Sequence, residues 1–126
     1  MNKHDVIDTI QELPDRRREH RWEPRGGVEV ACRVGTSGVG PDVALALIDL
    51  STFGGRLLVR EDLPVGELVE VCLYTTGGPG WFRQFAQVTW SAAARGGHYF
   101  VGVVFESPLT AEACEALHQL CLPGRS

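Results

Sequence analysis

The segment Val43-Ala-Leu-Ala-Leu-Ile-Asp-Leu-Ser-Thr-Phe-Gly-Gly55, running on into Arg56-Leu-Leu-Val-Arg60, decides the fold. From Val43 to Leu50 only Asp49 is polar, and an apolar run of this length bounded by turn residues reads as a central strand or a barrel wall. Gly54-Gly55 is read as the turn into a short strand at 56–60. Upstream, Val28, Val30, Cys32 and Val34 alternate with Glu29, Ala31 and Arg33, the period of a strand with one wet face, and 35–41 is turn material. Downstream, the turn at 63–66 leads to a strand at 68–75, with Val69, Val71 and Leu73 on one side and Glu70, Cys72 and Tyr74 on the other. A hairpin-like Gly77-Gly-Pro-Gly80 then joins it to strands at 82–91 and 99–106. Ala86, Val88 and Trp90 are expected on one face of the first of these, and Tyr99, Val101, Val103 and Phe105 form the apolar face of the second. Trp90, Tyr74, Tyr99 and Phe105 are assigned to the core. Thr110 reads as the N-cap of a C-terminal helix whose inner stripe is Cys114, Leu117, Leu120 and Cys121, stopped by Pro123-Gly124. Six closely spaced strands and a final helix predict a mainly β chain, a small antiparallel barrel or sandwich.

At 126 residues the chain is long enough for one core, and its 15 glycines suit strands joined by tight turns. Residues 4–13 place Val6, Ile7, Ile10 and Leu13 at helical spacing before Pro14, predicting a short amphipathic N-terminal helix. The expected organisation is therefore a helix at 1–15, an arm at 16–26, and a barrel with its helix at 27–126. No apolar run approaches the ~20 residues of a membrane span. The polar start has no signal-peptide core, so a cytoplasmic location is expected. Cys32, Cys72, Cys114 and Cys121 show no metal-ligand spacing and read as reduced, buried small hydrophobes. No metal or cofactor is expected from them or from the four scattered histidines.

The arm is Arg16-Arg-Arg-Glu-His-Arg-Trp-Glu-Pro-Arg25. It carries +3 in a chain of net charge −4, so the remainder carries −7. Arginine forks match phosphate oxygens and the O6/N7 edge of guanine bidentately. A solvated charge run is the competing reading of the same residues. Pro24 and Gly26-Gly27 exclude a helix through the arm, which is read as extended or loop-like. For Trp22 two roles stand side by side, stacking on a ligand base and docking on the barrel.

In Asp49-Leu-Ser-Thr-Phe-Gly54, Asp49 can accept from the N1–H and N2–H₂ donors of guanine, and Ser51 can donate to a phosphate or accept from a base. Gly54 permits positive φ or close approach of a ligand. The alternative is an Asx or Ser turn in which both side chains satisfy neighbouring amides. The ordered set Arg17-x-x-x-Arg21, Asp49-x-Ser51-x-x-Gly54, Gln87-Val-Thr-Trp90 and Gly102-Val-Val-Phe105 resembles the PilZ domain family from about Arg16 to the C-terminal helix. The resemblance implies a six-stranded antiparallel β-barrel with a C-terminal helix, and a bacterial receptor for the second messenger cyclic di-GMP. It implies that Arg17 and Arg21 hold the phosphates and one guanine edge, that Asp49 and Ser51 read the other guanine, and that Gly54 leaves it room. Arg16 falls at the position associated in this family with how many ligand molecules bind. A second register, Arg21 to Arg25, also exists, and Arg17/Arg21 is preferred for its short gap to Pro24 and the first strand.

The expected function is a non-enzymatic receptor whose arm changes conformation on binding cyclic di-GMP and which signals to a protein partner in trans. No activated nucleophile, Walker loop or zinc motif is present in the sequence. The first alternative is a PilZ-type protein-interaction module that binds no nucleotide; members of that kind usually lack the arginines or the Asp-x-Ser-x-x-Gly stretch. The second is a small barrel that binds RNA or single-stranded DNA. Outside the arm the acids outnumber the bases, so a nucleic acid polymer is not an expected partner.

Overall fold

A computed structural model describes residues 22–24, 28–75, 81–118 and 121–123. The expected N-terminal helix, the arginines Arg16, Arg17 and Arg21, and the 76–80 connection lie outside the described residues. The strands are β1 (Trp22–Pro24), β2 (Val28–Val34), β3 (Ala44–Ser51), β4 (Gly54–Val59), β5 (Leu68–Thr75), β6 (Trp81–Ala93), β7 (Tyr99–Phe105) and β8 (Cys121–Pro123). A single α-helix among the described residues, α1 (Ala111–His118), precedes β8. The strand order is β2-β5-β6-β7-β4-β3-β1-β8, and the paired strands run antiparallel. The six expected strands form a nearly closed barrel, β2 through β7, matching the predicted fold class.

The core comes from the strand period. Val69, Val71 and Leu73 of β5 point inward to meet Val88, Val101, Val103, Leu57 and Val59, with Leu109, Ala113 and Leu117 packed from the helical segment. Each such Val or Leu side chain removed from water contributes about 1.5–3 kcal/mol. Thr110 caps α1 as expected, its Oγ1 accepting the Ala113 N–H at 3.1 Å.

The wall closes where β2 meets the start of β3. Val43 N–H donates to the Cys32 carbonyl at 2.8 Å, and beside it a side chain takes over from the ladder. Asp42 Oδ1 accepts the Cys32 N–H at 2.8 Å and the Ala44 N–H at 2.9 Å. One carboxylate oxygen thus serves two strands.

Several expectations are corrected. Residues 121–123 are not helical: Cys121 lies in β8, which pairs with β1, so Cys114 and Cys121 do not share a helix face. Pro123 lies at the end of β8, the last strand of the order, the kind of edge position in which proline is tolerated. β4 begins at Gly54, so the turn is Thr52-Phe53 and not Gly54-Gly55. Tyr74 is 37% exposed and stacks on Trp81, centroids 6.4 Å apart, outside the core. Trp90 also leaves the core face. A register shift between Val88 and Trp90 pairs Trp90 with Gly102, which sits between the inward-facing Val101 and Val103. The extra residue of the bulge turns the indole onto the barrel's outer face.

Cys32, Cys72 and Cys114 are free thiols. Burial, then the nearby negative charge of Asp42, pushes the Cys32 thiol up to about 12. The thiolate is the reactive form. Alkylation at pH 8 should therefore leave Cys32 unlabelled in the native protein and label it after denaturation, as read by peptide mass spectrometry. Asp42→Ala strands two backbone donors at the barrel seam and should lower the unfolding free energy by about 1–3 kcal/mol. A urea midpoint equal to wild type would show that the seam does not depend on Asp42.

Candidate functional site

β3 carries two polar side chains past the core wall at its C-terminal end. Leu50 is fully buried in the core, so Asp49 and Ser51, one residue to either side, face the other way. Ser51 Oγ accepts the Phe53 N–H at 3.2 Å and donates to the Gly54 carbonyl at 3.3 Å, the local turn bond that serine offers in this context. The turn is tied to the rest of the barrel by its backbone. The Phe53 carbonyl accepts the Phe105 N–H and the Thr52 carbonyl accepts the Leu109 N–H, both at 2.8 Å. Phe53 itself projects from the tip, 50% exposed.

Gly54 is a glycine for a reason internal to the sheet. Any Cβ there would collide with the Val103 carbonyl of the neighbouring strand, whose backbone passes against it. Its φ is not in the left-handed region, so close approach and not turn geometry fixes the residue.

Asp49 pairs across the strands. Arg56 Nε donates to Asp49 Oδ2 at 2.6 Å, and Arg56 Nη2 donates to the same oxygen. Asp49 is 2% exposed and Arg56 7%, so this is a buried ion pair although both residues stand on the outer face of the wall. Burying charge is costly, and removing one partner of such a pair typically costs about 3–5 kcal/mol because the other is left uncompensated.

Register extends this pair into a row across four strands. Asp49 of β3 is opposite Arg56 of β4, Arg56 is opposite Gly102 of β7, and Gly102 is opposite Trp90 of β6. A Cβ at Gly102 would overlap the Trp90 indole, which therefore lies across β7 in the space a side chain would fill. Among the described residues, two buried donors in this row have no hydrogen-bond partner, Arg56 Nη1 and Trp90 Nε1. Buried donors are nearly always satisfied in a closed structural setting.

Of the residues singled out from sequence, Asp49, Ser51 and Gly54 are brought together at the β3–β4 turn. Arg16, Arg17 and Arg21 lie outside the described residues, and of Trp22 the backbone alone is described. That backbone is informative: β1 pairs with β3 at Trp22↔Leu50. The arm is extended there, and it lies beside the segment that carries Asp49 and Ser51. Sequence reading missed Arg56 as a site residue. The available signal was an arginine on the outward period of β4, Gly54-Arg56-Leu58, two positions after the Gly54 of the motif.

Among the described residues, no group of three or more His, Cys, Asp or Glu is placed to hold a metal ion. Nor is any described helix long and apolar enough to cross a membrane. No curated protein matches the chain significantly. The sequence profile of the PilZ domain matches residues 15–122, a span that takes in the arginine arm, the Asp49–Gly54 turn, all of the barrel and α1. The chain belongs to the PilZ domain family.

Proposed function

We propose that this protein is a receptor for cyclic di-GMP, gripped between the arginine arm and the outer face of the barrel at the β3–β4 turn. Membership of a family of binding and adaptor modules supports the ligand class. The observation that carries the reading is the β1–β3 pairing at Trp22↔Leu50. Arg21 is bonded directly to Trp22, and Leu50 lies between Asp49 and Ser51. The residue that follows Arg21 in the chain is thus held beside the residue between Asp49 and Ser51, which supports a shared site.

The division of labour follows from ligand chemistry. Cyclic di-GMP offers two phosphates and two guanines. Arg17 and Arg21 supply forked donors for phosphate oxygens and the O6/N7 edge, and the Asp49 carboxylate accepts from N1–H and N2–H₂. Ser51 completes the polar set, and Arg16 sets whether a second ligand molecule stacks. Closing the arm over the ligand converts its concentration into a change of shape, which is passed to a protein partner in trans. The role is binding and relay, not catalysis.

Calorimetry with cyclic di-GMP, set beside GMP, cyclic di-AMP and a short oligonucleotide, tests the reading. Selective binding with Kd near ~1 μM, about −8 kcal/mol, is expected. Absence of heat at ~100 μM cyclic di-GMP would sink it. Arg21→Ala and Asp49→Ala, each checked for native melting, should weaken binding by about 1–3 kcal/mol. Hydrogen exchange of residues 1–25 should slow at saturating ligand, and exchange that does not change would remove the arm-closing step.

A further inference from the structure

We propose that Arg56 is a positioning residue that makes Asp49 a specific guanine reader, an inference that rests on the receptor reading above. Asp49 can discriminate guanine only if its carboxylate stays charged and is held in one plane, because N1–H and N2–H₂ lie side by side on a single base edge. A buried carboxylate keeps neither property without help. Arg56 supplies both. Its guanidinium brings the compensating charge, and Nε and Nη2 converge on Oδ2 from one rigid fork, which stops the carboxylate turning about its own bond.

Three features separate this from an ordinary structural salt bridge. The pair stands on the outer face of the wall, opposite Gly102 and Trp90, and is absent from the apolar core. The backbone of Arg56 is also held on both sides by strand register, between Asp49 of β3 and Gly102 of β7. Finally, Nη1 is buried with no hydrogen-bond partner among the described residues, a state that a merely closed ion pair does not leave.

The test compares cyclic di-GMP with cyclic di-inosine monophosphate, which lacks only the N2 amine, in wild type, Arg56→Met and Arg56→Lys. The wild type should prefer cyclic di-GMP. In Arg56→Met the affinity for cyclic di-GMP should fall about tenfold to a hundredfold and the preference should shrink toward one. Should that variant fail to fold, Arg56→Lys decides the matter, because lysine keeps the charge without the fork and should lose the preference while melting as the wild type does. A double-mutant cycle adds a second arm: in an Asp49→Ala background, Arg56→Lys should change affinity by less than about twofold. Equal losses for both ligands would mark Arg56 as a scaffold residue and overturn the proposal. Tighter binding in the variant would overturn it too, since Arg56 would then be competing with guanine for Asp49. A wild type that binds neither dinucleotide overturns the receptor reading itself, whereas a wild type that binds with an unaltered preference in the variants overturns only the role of Arg56.

Discussion

A sheet of six strands becomes a barrel only if its first and last strands satisfy each other, and here that junction rests on Asp42. Its Oδ1 takes the N–H of Cys32 on β2 and of Ala44 on β3, beside the backbone bond from Val43 N–H to the Cys32 carbonyl. Further along β3 the pairing with β4 shifts register between Leu47 and Asp49. Leu47 and Leu50 then face the core, and Asp49 and Ser51 face outward at the far end of the same strand. β3 is thus bracketed by two aspartates with opposite tasks. One satisfies backbone at the wall's seam, and the other carries charge on the wall's outer face.

On the outer face the motif side chains carry structural tasks of their own. The Asp49–Arg56 pair is buried, and a pair of well-packed apolar residues of similar volume would often be at least as stable. The serine and the glycine of the same motif have structural work too, since Ser51 closes the turn and Gly54 admits the Val103 carbonyl. In the proposed receptor, Asp49, Ser51 and Gly54 therefore cannot be divided into residues that fold the turn and residues that face a ligand. Altering any of them touches both.

Strand positions were legible in the sequence because they follow a local period. Runs such as Val69-Val71-Leu73 and Val101-Val103-Phe105 announce their inward face without reference to the rest of the chain. The motif residues were legible for the same reason, being fixed in short spacing. What escaped depends on partners distant in sequence. The bulge at Val88/Trp90 reverses the indole's face, and β8 exists because β1 offers it an edge. Gly54 looked like a turn glycine until the backbone of β7 was seen against it. Arg56 looked like one basic residue among several, because nothing in its neighbourhood announces that Asp49 lies across the strand.

The attachment of β8 has a mechanical consequence. Its strand partner is β1, through Trp22↔Pro123, Glu23↔Leu122 and Pro24↔Cys121, while β1 in turn meets β3 at Trp22↔Leu50. β1 therefore lies between β8 and the barrel wall, and its described pairing with the wall is the shorter of the two. Movement of β1 against β3 also moves the edge on which β8 is laid.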